Sequence, residues 1–526
     1  MTIATACKNP EHLPEAPIRH QEVLVEALRN SACYEHDTGP IVLVETHISW
    51  VLLTGTYAYK IKKALKLPFL DFSTLERRRH FCQEELRLNH RSAPDLYLGV
   101  VDITGSSRTP RINGHGPVIE YAVKMLQFSQ QHRLDYVLAQ GGLERRHLDQ
   151  LAHDVARLHR QAAVAGVHTR FASPACLRSD TLQNFDALKG FSDPELDPEL
   201  LGRLRGWSET SLARLETTFQ NRRRQGFIRE CHGDLHLENL VLHEERVQAF
   251  DCIEFNDGFR WIDVISEIAF LIMDLDYRGR PDLGRFFLNA YLEQSGDYAG
   301  LALLRHYLVY RAMVRVKVAL IRLQQTDLSM DQRTREHADL IGYLRLAGSY
   351  IRDPAPAALI ISHGLSGSGK SWLAAELAVH SGLIRIRSDV ERKRCIESAL
   401  YSEAATRHTY RRLAELAEQV IAAGYSVIVD ATFLRCDQRR EFQDLAERLG
   451  VPFSILQCRA APEILERRIR ERQGDVSDAT VGVLAGQRRN LQSLGEREMQ
   501  ALVSVDTGEA VDVEAVLERI HLNPTS

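Results

Sequence analysis

The sequence predicts two domains of unlike class, an α+β domain with a sheet lobe and a mainly helical lobe, then an α/β domain built on a parallel sheet. Three observations lead there. The chain has 526 residues, beyond the roughly 250–300 at which single hydrophobic cores stop growing. Short alternating runs fill residues 41–63, whereas helical spacing dominates from 143 to 350. After Arg352-Asp353-Pro354-Ala355-Pro356, which disfavours continued helix, the rhythm becomes strand, glycine loop, helix.

In order along the chain, residues 1–34 are expected to form an N-terminal segment and helix, 35–350 the first domain, 351–356 a linker and 357–526 the second domain. The runs 41–44, 49–54 and 57–63, punctuated by Gly55, predict three antiparallel strands; 75–91 predicts a helix, and 95–103 and 118–125 two more strands. The lobe should thus hold five strands and one helix. Beyond it, helices such as the one carrying His147, Leu148, Leu151, Val155 and Leu158 follow, and the one clear strand pair flanks Glu244-Glu245. In the second domain, strands are expected at 357–362, 384–386, 426–429 and 453–456. No internal repeat is present.

Composition narrows the class of function. With 44% hydrophobic and 26% charged residues the chain can build real cores. A net charge of -4 gives no global pull toward nucleic acid or anionic membranes. The local run Arg222-Arg223-Arg224 reads either as a phosphate contact or as a solvated helix end. Nine scattered cysteines without a C-x-x-C pair suit a reducing compartment. Residues 1–20 carry Glu11, Glu15 and three prolines where an export signal would be apolar. The apolar runs 265–275, interrupted by Glu267 and Asp274, and 357–362 fall short of the about 20 residues of a membrane span. A cytoplasmic protein without a membrane segment is expected.

The second domain carries the more specific motif. Gly364-Leu365-Ser366-Gly367-Ser368-Gly369-Lys370-Ser371 fits G-x-x-x-x-G-K-[ST] between a β-rich run and a helical one. Gly364, Gly367 and Gly369 let backbone N–H groups wrap a phosphate, Lys370 reaches the β/γ oxygens, and the Ser371 hydroxyl ligates Mg²⁺. Asp430 closes an apolar strand, where it either orients hydrated Mg²⁺ or caps a helix. Asp389 ends the preceding strand and is either the acceptor of a hydroxyl proton or the N-cap of a helix beginning at Val390. Arg468 and Arg472, four apart, share one helix face and either clamp a transferring phosphoryl group or, with Arg467 and Arg470, form a solvated face. Through GLSGSGKS, the Arg387-Ser388-Asp389 segment and the R-x-x-x-R pair, residues 357–515 resemble the P-loop kinase group that includes gluconate kinases, polynucleotide 5′-kinases and zeta-type toxins. The resemblance implies that Asp389 is the base for the acceptor hydroxyl and that Arg392 lies near the acceptor.

In the first domain, His232-Gly233-Asp234-Leu235-His236-Leu237-Glu238-Asn239 carries H-x-D-x-x-x-x-N, which reads either as a site where the aspartate takes the acceptor proton and the asparagine binds Mg²⁺, or as a metal-free structural loop. A predicted hairpin over 240–250 returns Asp251 beside Asn239, so both can share one metal ion. His232 and His236 have the spacing of a zinc pair, but Gly233 and Asp234 oppose a helix there and no third ligand is spaced to match. Upstream, Lys60 stands where a strand lysine would hold phosphates, with Lys62 on the same face as the alternative and Glu85 placed to pair with it. Residues 122–128 would cross between the lobes, where adenine bonds to backbone.

HGDLHLEN, Asp251, Asp263 and the segment ending in Leu158-His159 together resemble the aminoglycoside and choline phosphotransferase superfamily over residues 35–345. The resemblance implies a protein-kinase-like fold with Asp234 as base, Asn239 and Asp251 as metal ligands and Asp263 supporting the catalytic loop. One departure stands out. Where kinases have a glycine loop, this chain reads Glu45-Thr46-His47-Ile48-Ser49-Trp50, so phosphate cover must come from other groups or be looser. The whole chain resembles bacterial bifunctional proteins that join an aminoglycoside phosphotransferase-like domain to a P-loop ATP-binding kinase domain. That resemblance implies ATP and Mg²⁺ as cofactors, a small-molecule acceptor and transfer of a γ-phosphate to a hydroxyl. The alternatives are a chain in which one module senses nucleotide, and a polynucleotide or toxin-like kinase.

Overall fold

The computed structural model describes residues 16–67, 69–191, 193–325, 328–353, 355–395, 402–471 and 481–520. The chain divides into two compact units, one of residues 1–279 with 304–351 and one of residues 280–303 with 352–526.

The sheet of the first unit is antiparallel, with strands β1 (Val42–Glu45), β2 (Ser49–Leu53) and β3 (Tyr57–Lys62) in sequence. A small hairpin of β4 (Lys66–Leu67) and β5 (Leu70–Asp71) follows. β6 (Tyr97–Ser106), β7 (Thr109–Ile112) and β8 (Val118–Leu126) complete the main sheet in the order β1-β2-β3-β8-β6-β7. Six strands replace the expected five, because the short run at β7, with Pro110 and Arg111 in it, lacks the apolar alternation by which strands are read.

Alternation across the pleat sends successive side chains of β3 to opposite faces. Tyr59 and Ile61 join Leu24 and Val25 of the helix Ala16–Ala27, and Leu28 just after it, in one core. Ala58 joins the opposite core with Cys82 of the helix Leu75–Asn89. Lys60 and Lys62 therefore face that helix, which presents buried Glu85 and Asn89.

The helical part includes Arg145–Gln161, Pro198–Arg224, Val264–Tyr277 and Met330–Tyr350. Val264–Tyr277 is buried along nearly its whole length, including Glu267 and Asp274. A two-stranded sheet not evident in the sequence joins β9 (Ile228–Glu230) to a strand at Trp261–Asp263. Between them lies the expected hairpin of β10 (Leu240–His243) and β11 (Arg246–Ala249), whose turn places Glu244 and Glu245 at φ of 47° and 63°. The strand at Trp261–Asp263 is β12.

In the second unit, β13 (Leu359–His363), β14 (Ile384–Arg387), β15 (Val427–Asp430), β16 (Phe453–Arg459) and β17 (Leu502–Asp506) form a parallel sheet in the order β14-β15-β13-β16-β17. β13 is central and buried throughout, as parallel strands covered on both faces are. β17 extends the four expected strands. Residues 280–303, placed in the first domain by the sequence reading, cluster with this second unit. The reason is local: side chains of the helix Pro281–Ser295 bond to β14 at the sheet edge. Among the described residues no helix is long and apolar enough to cross a membrane.

Candidate active sites

In the first unit a cavity of about 270 Å³ opens between the sheet and the 232–251 segment. Val51, Leu53, Ala58 and Met125 give it an apolar end, and Lys60, Asn239 and Asp251 a polar one. The segment 125–128 forms part of its wall, where the sequence places adenine contacts.

The polar end is a buried charge cluster. Lys60 Nζ donates to Glu85 Oε1 at 2.7 Å and also bonds Asp251 Oδ1. Lys62 Nζ donates to the other carboxylate oxygen, Glu85 Oε2, at 2.6 Å and bonds Glu254. Burial works against the charge on Lys60, yet Asp251 and Glu85 outweigh it and hold the ammonium well above its ordinary pKa. The two lysines are thus distinguished by position: Lys60 lines the cavity, whereas Lys62 is 1% exposed and turned toward Glu254.

Asn239 Nδ2 donates to Asp234 Oδ2 at 2.8 Å and to the Asp234 carbonyl at 3.0 Å. His236 Nε2 lies 3.3 Å from the same carboxylate. Burial pushes the Asp234 carboxyl up, but the neighbouring His236 and the hydrogen bond from it bring its pKa below the ordinary carboxylate value. The hairpin does return Asp251: Phe250 N–H donates to the Asn239 carbonyl at 3.0 Å, and Asp251, in left-handed backbone at φ 63°, lines the cavity with Asn239. Its N–H donates to the Tyr97 hydroxyl at 3.0 Å. Carboxylate and amide oxygens facing one cavity are the hard donors that Mg²⁺ takes alongside phosphate and water, so the residues fit that ion. His232 and His236 lie in a loop, and His232 Nε2 sits 2.9 Å from the Phe250 carbonyl.

Support of this loop differs from the expectation. Asp263 pairs with buried Arg222 through bonds of 2.7 and 2.8 Å and caps the helix Val264–Tyr277. Arg222 is therefore neither a solvated helix end nor an open phosphate contact. The loop backbone is held instead by Glu267, whose carboxylate accepts from His232 N–H at 2.7 Å and Gly233 N–H at 3.0 Å. Asp274 accepts from Leu237 N–H at 2.9 Å. Arg311 Nη1 donates to the Gly233 carbonyl at 3.2 Å. Burial raises the Glu267 carboxyl to about 7. Gly233, at φ 88°, is required: a Cβ there would stand 2.7 Å from the Phe259 carbonyl oxygen. In place of a glycine loop, the β1–β2 turn is closed by Thr46, whose hydroxyl donates to the Ser49 carbonyl at 2.7 Å. Thr46 lines the cavity.

In the second unit the glycine loop runs from β13 into the helix Lys370–Ser381. Gly364, Gly367 and Gly369 all have positive φ, and a Cβ on Gly364 would lie 2.5 Å from the Cys458 carbonyl oxygen. Lys370 Nζ donates to the Leu365 carbonyl at 2.8 Å across the loop, and Ser371 stands in the first turn of the helix. Asp430, 5% exposed, ends β15 beside β13. Burial pushes the Cys458 thiol up to about 12, with Lys370 lowering and Asp430 raising it. The Ser371 hydroxyl, at the start of the helix after β13, and the Asp430 carboxylate, at the end of neighbouring β15, are oxygen donors of the kind Mg²⁺ takes.

Asp389 is not the N-cap of a helix beginning at Val390. The helix is Ser388–Cys395, so Asp389 stands in its first turn, half-buried. Arg468 does not lie on a solvated face: Nη2 donates to the Thr507 carbonyl at 2.6 Å and Nη1 approaches the Gly367 carbonyl at 3.4 Å. Arg467 and Arg470 are exposed, and Arg472 lies outside the described residues. Two residues that sequence reasoning missed brace the loop. Gln487 accepts from Ser366 N–H at 2.8 Å and donates to its hydroxyl at 2.9 Å, and Thr507 Oγ1 donates to the Ser368 carbonyl at 2.7 Å. Neither belongs to a motif of fixed spacing.

Known proteins resemble the chain in part and over most of its length. The family model described as AAA domain (AAA_33) matches residues 359–494. Among solved structures, amicoumacin kinase hAmiN, in complex with AMP-PNP, Ca²⁺ and Ami, is 14% identical and covers 64% of this chain and 95% of its own, with a TM-score of 0.40. A sugar kinase from Janibacter sp. HTCC2649 is 23% identical over 32% of this chain and 97% of its own, with a TM-score of 0.26. The residues matched by the AAA-domain model all lie in the second unit. Uncharacterized protein Rv2004c of Mycobacterium tuberculosis is 30% identical over 487 residues, 90% of this chain and 93% of its own length, and Mb2027c of Mycobacterium bovis matches equally. The chain belongs to the same family as these mycobacterial proteins.

Proposed function

We propose that the chain is an ATP-dependent phosphotransferase that moves the γ-phosphate of MgATP to a hydroxyl of a small molecule, with one nucleotide site in each unit. The observation that carries the reading is the convergence of Lys60, Asn239 and Asp251, remote in sequence, on one cavity. Lys60, fixed by Glu85, would hold the nucleotide phosphates, and Asp234 would take the proton of the attacking hydroxyl. At the second site Gly364, Gly367, Gly369 and Lys370 would cradle the triphosphate, Arg468 would neutralise the transferring group, and Asp389 would be the base. Asn239 with Asp251, and Ser371 with Asp430, would hold Mg²⁺, which would supply charge neutralisation to the nucleotide phosphates. The reading takes residues 35–350 and 357–526 as the two modules, with 280–303 serving the second. It places the protein in the cytoplasm, in keeping with the free thiols of all described cysteines.

γ-Labelled ATP incubated with a metabolite extract tests this. Asp234→Ala should lose one labelled product, by about 10²–10⁴ in turnover as loss of a general base does, and Lys370→Ala should lose another. Products unaffected by either change would end the assignment. The glycine-free turn over 45–50 favours a second reading, in which the first module binds nucleotide as a regulator; Asp234→Ala would then cost no product.

A further inference from the structure

Residues 280–303 precede the linker in sequence yet cluster with the parallel-sheet unit. β14 is an edge strand of that sheet, and edge strands expose backbone groups that need partners. The helix Pro281–Ser295 supplies them. Asn289 Oδ1 accepts from Arg385 N–H at 2.7 Å and its Nδ2 donates to the Leu383 carbonyl at 3.1 Å. Just beyond the helix, the Tyr298 hydroxyl donates to the Arg385 carbonyl at 3.4 Å. Position and direction of β14 are therefore tied to a segment that the sequence assigns elsewhere.

One turn after Asn289, Glu293 grips two side chains of the same strand. Its Oε2 accepts from Arg385 Nη2 at 2.9 Å and its Oε1 from Arg387 Nη1 at 2.9 Å. These groups are 12–16% exposed, so the charges are weakly screened. Arg387 is paired in register with Asp430 on β15, and its Nε lies 3.9 Å from Asp430 Oδ2, beyond hydrogen-bond distance. The same guanidinium thus lies between two carboxylates, bonded to one and merely near the other.

We propose that Glu293 is a positioning residue of the second site: it holds Arg387 short of Asp430, so that the Asp430 carboxylate stays open to a hydrated divalent cation. A guanidinium in direct contact with a buried carboxylate makes charge-assisted bonds and competes with a cation for the same oxygens. Glu293 offers Arg387 the shorter contact and so withholds that competition. The inference rests on the reading of Asp430 as the residue that orients the cation. It also means that a fragment cut at the linker would lack a residue its cation site needs.

Calorimetric titration of the full-length chain with ATP, in Mg²⁺ and in excess chelator, tests the proposal. In Glu293→Gln the second-site affinity for ATP with Mg²⁺ should fall about tenfold while the metal-free affinity stays at the parent value, because one charge-assisted bond is redirected onto Asp430. Adding Arg387→Met to Glu293→Gln should restore the gain from Mg²⁺, which a merely misfolded variant would not do. An unchanged Mg²⁺ gain in Glu293→Gln, or no restoration in the double variant, would overturn the positioning role. Asp430→Asn reports separately on the underlying reading: loss of the Mg²⁺ gain upholds it, and persistence refutes it.

Discussion

Replacing Glu267 by alanine removes the acceptor of two buried backbone donors, the N–H groups of His232 and Gly233 at 2.7 and 3.0 Å. Each buried donor left without a partner costs about 1–3 kcal/mol, so Glu267→Ala should destabilise the first unit by about 2–6 kcal/mol. Glu267→Gln keeps an acceptor oxygen and should cost far less. It also carries a pH signature. Burial raises the carboxyl from 4.5 to about 7, against the opposing influence of Arg311 and the two N–H groups. A folded pKa above the unfolded one gives stability that is full below about pH 4.5 and lost as pH rises through 7. Between pH 5 and 8 the parent should lose roughly 2–3 kcal/mol that the glutamine variant does not lose. Denaturant unfolding of parent, Ala and Gln forms at both pH values measures this. A cost below about 1 kcal/mol for alanine, or a parent-to-glutamine difference that is the same at pH 5 and pH 8, would refute the reasoning.

Gly367→Ala would force a Cβ to 2.7 Å from the Leu465 carbonyl oxygen at φ 82°, so ATP affinity of the second unit and its stability should both fall, the latter by about 2 kcal/mol or more. Gly424→Ala, at φ 87° with nothing within 4 Å, is the control: about 1 kcal/mol of stability and no change in ATP affinity by calorimetry. His306 is lowered by burial from 6.5 to about 4. Its folded pKa is depressed, so the unfolded chain takes the proton first, and stability on the order of 3 kcal/mol is lost as pH falls from 6.5 to 4. Unfolding free energies of His306→Gln should fall less steeply than the parent's over that range, and equal slopes would contradict this.

What the sequence revealed and what it concealed follow from the same physics. Motifs of fixed spacing could be read directly: Gly364 to Ser371 does run from a strand into a helix, and a hairpin does return Asp251 beside Asn239. Lys60 and Lys62 could not be separated, because a two-residue spacing puts both on one face and only their partners, Asp251 and Glu254, tell them apart. Glu267 and Asp274 read as interruptions of an apolar run, yet each turns toward the 232–239 loop to accept backbone N–H groups; the 35-residue separation of His232 from Glu267 belongs to no motif. The role of Asp263 was misplaced for the same reason, its partner Arg222 being 41 residues away. β7, β9 and β12 are too short for periodicity to show. The helix Pro281–Ser295 is plain as a helix, but its attachment rests on Asn289 and Glu293, two side chains with no distinguishing pattern around them.

Counting bound ATP by calorimetry on the parent, Lys60→Ala and Lys370→Ala chains tests the central claim most directly. Two equivalents per parent chain, one in each single variant and none in the double variant are predicted. A parent that binds a single equivalent, or a Lys60→Ala chain that still binds two, would contradict the account.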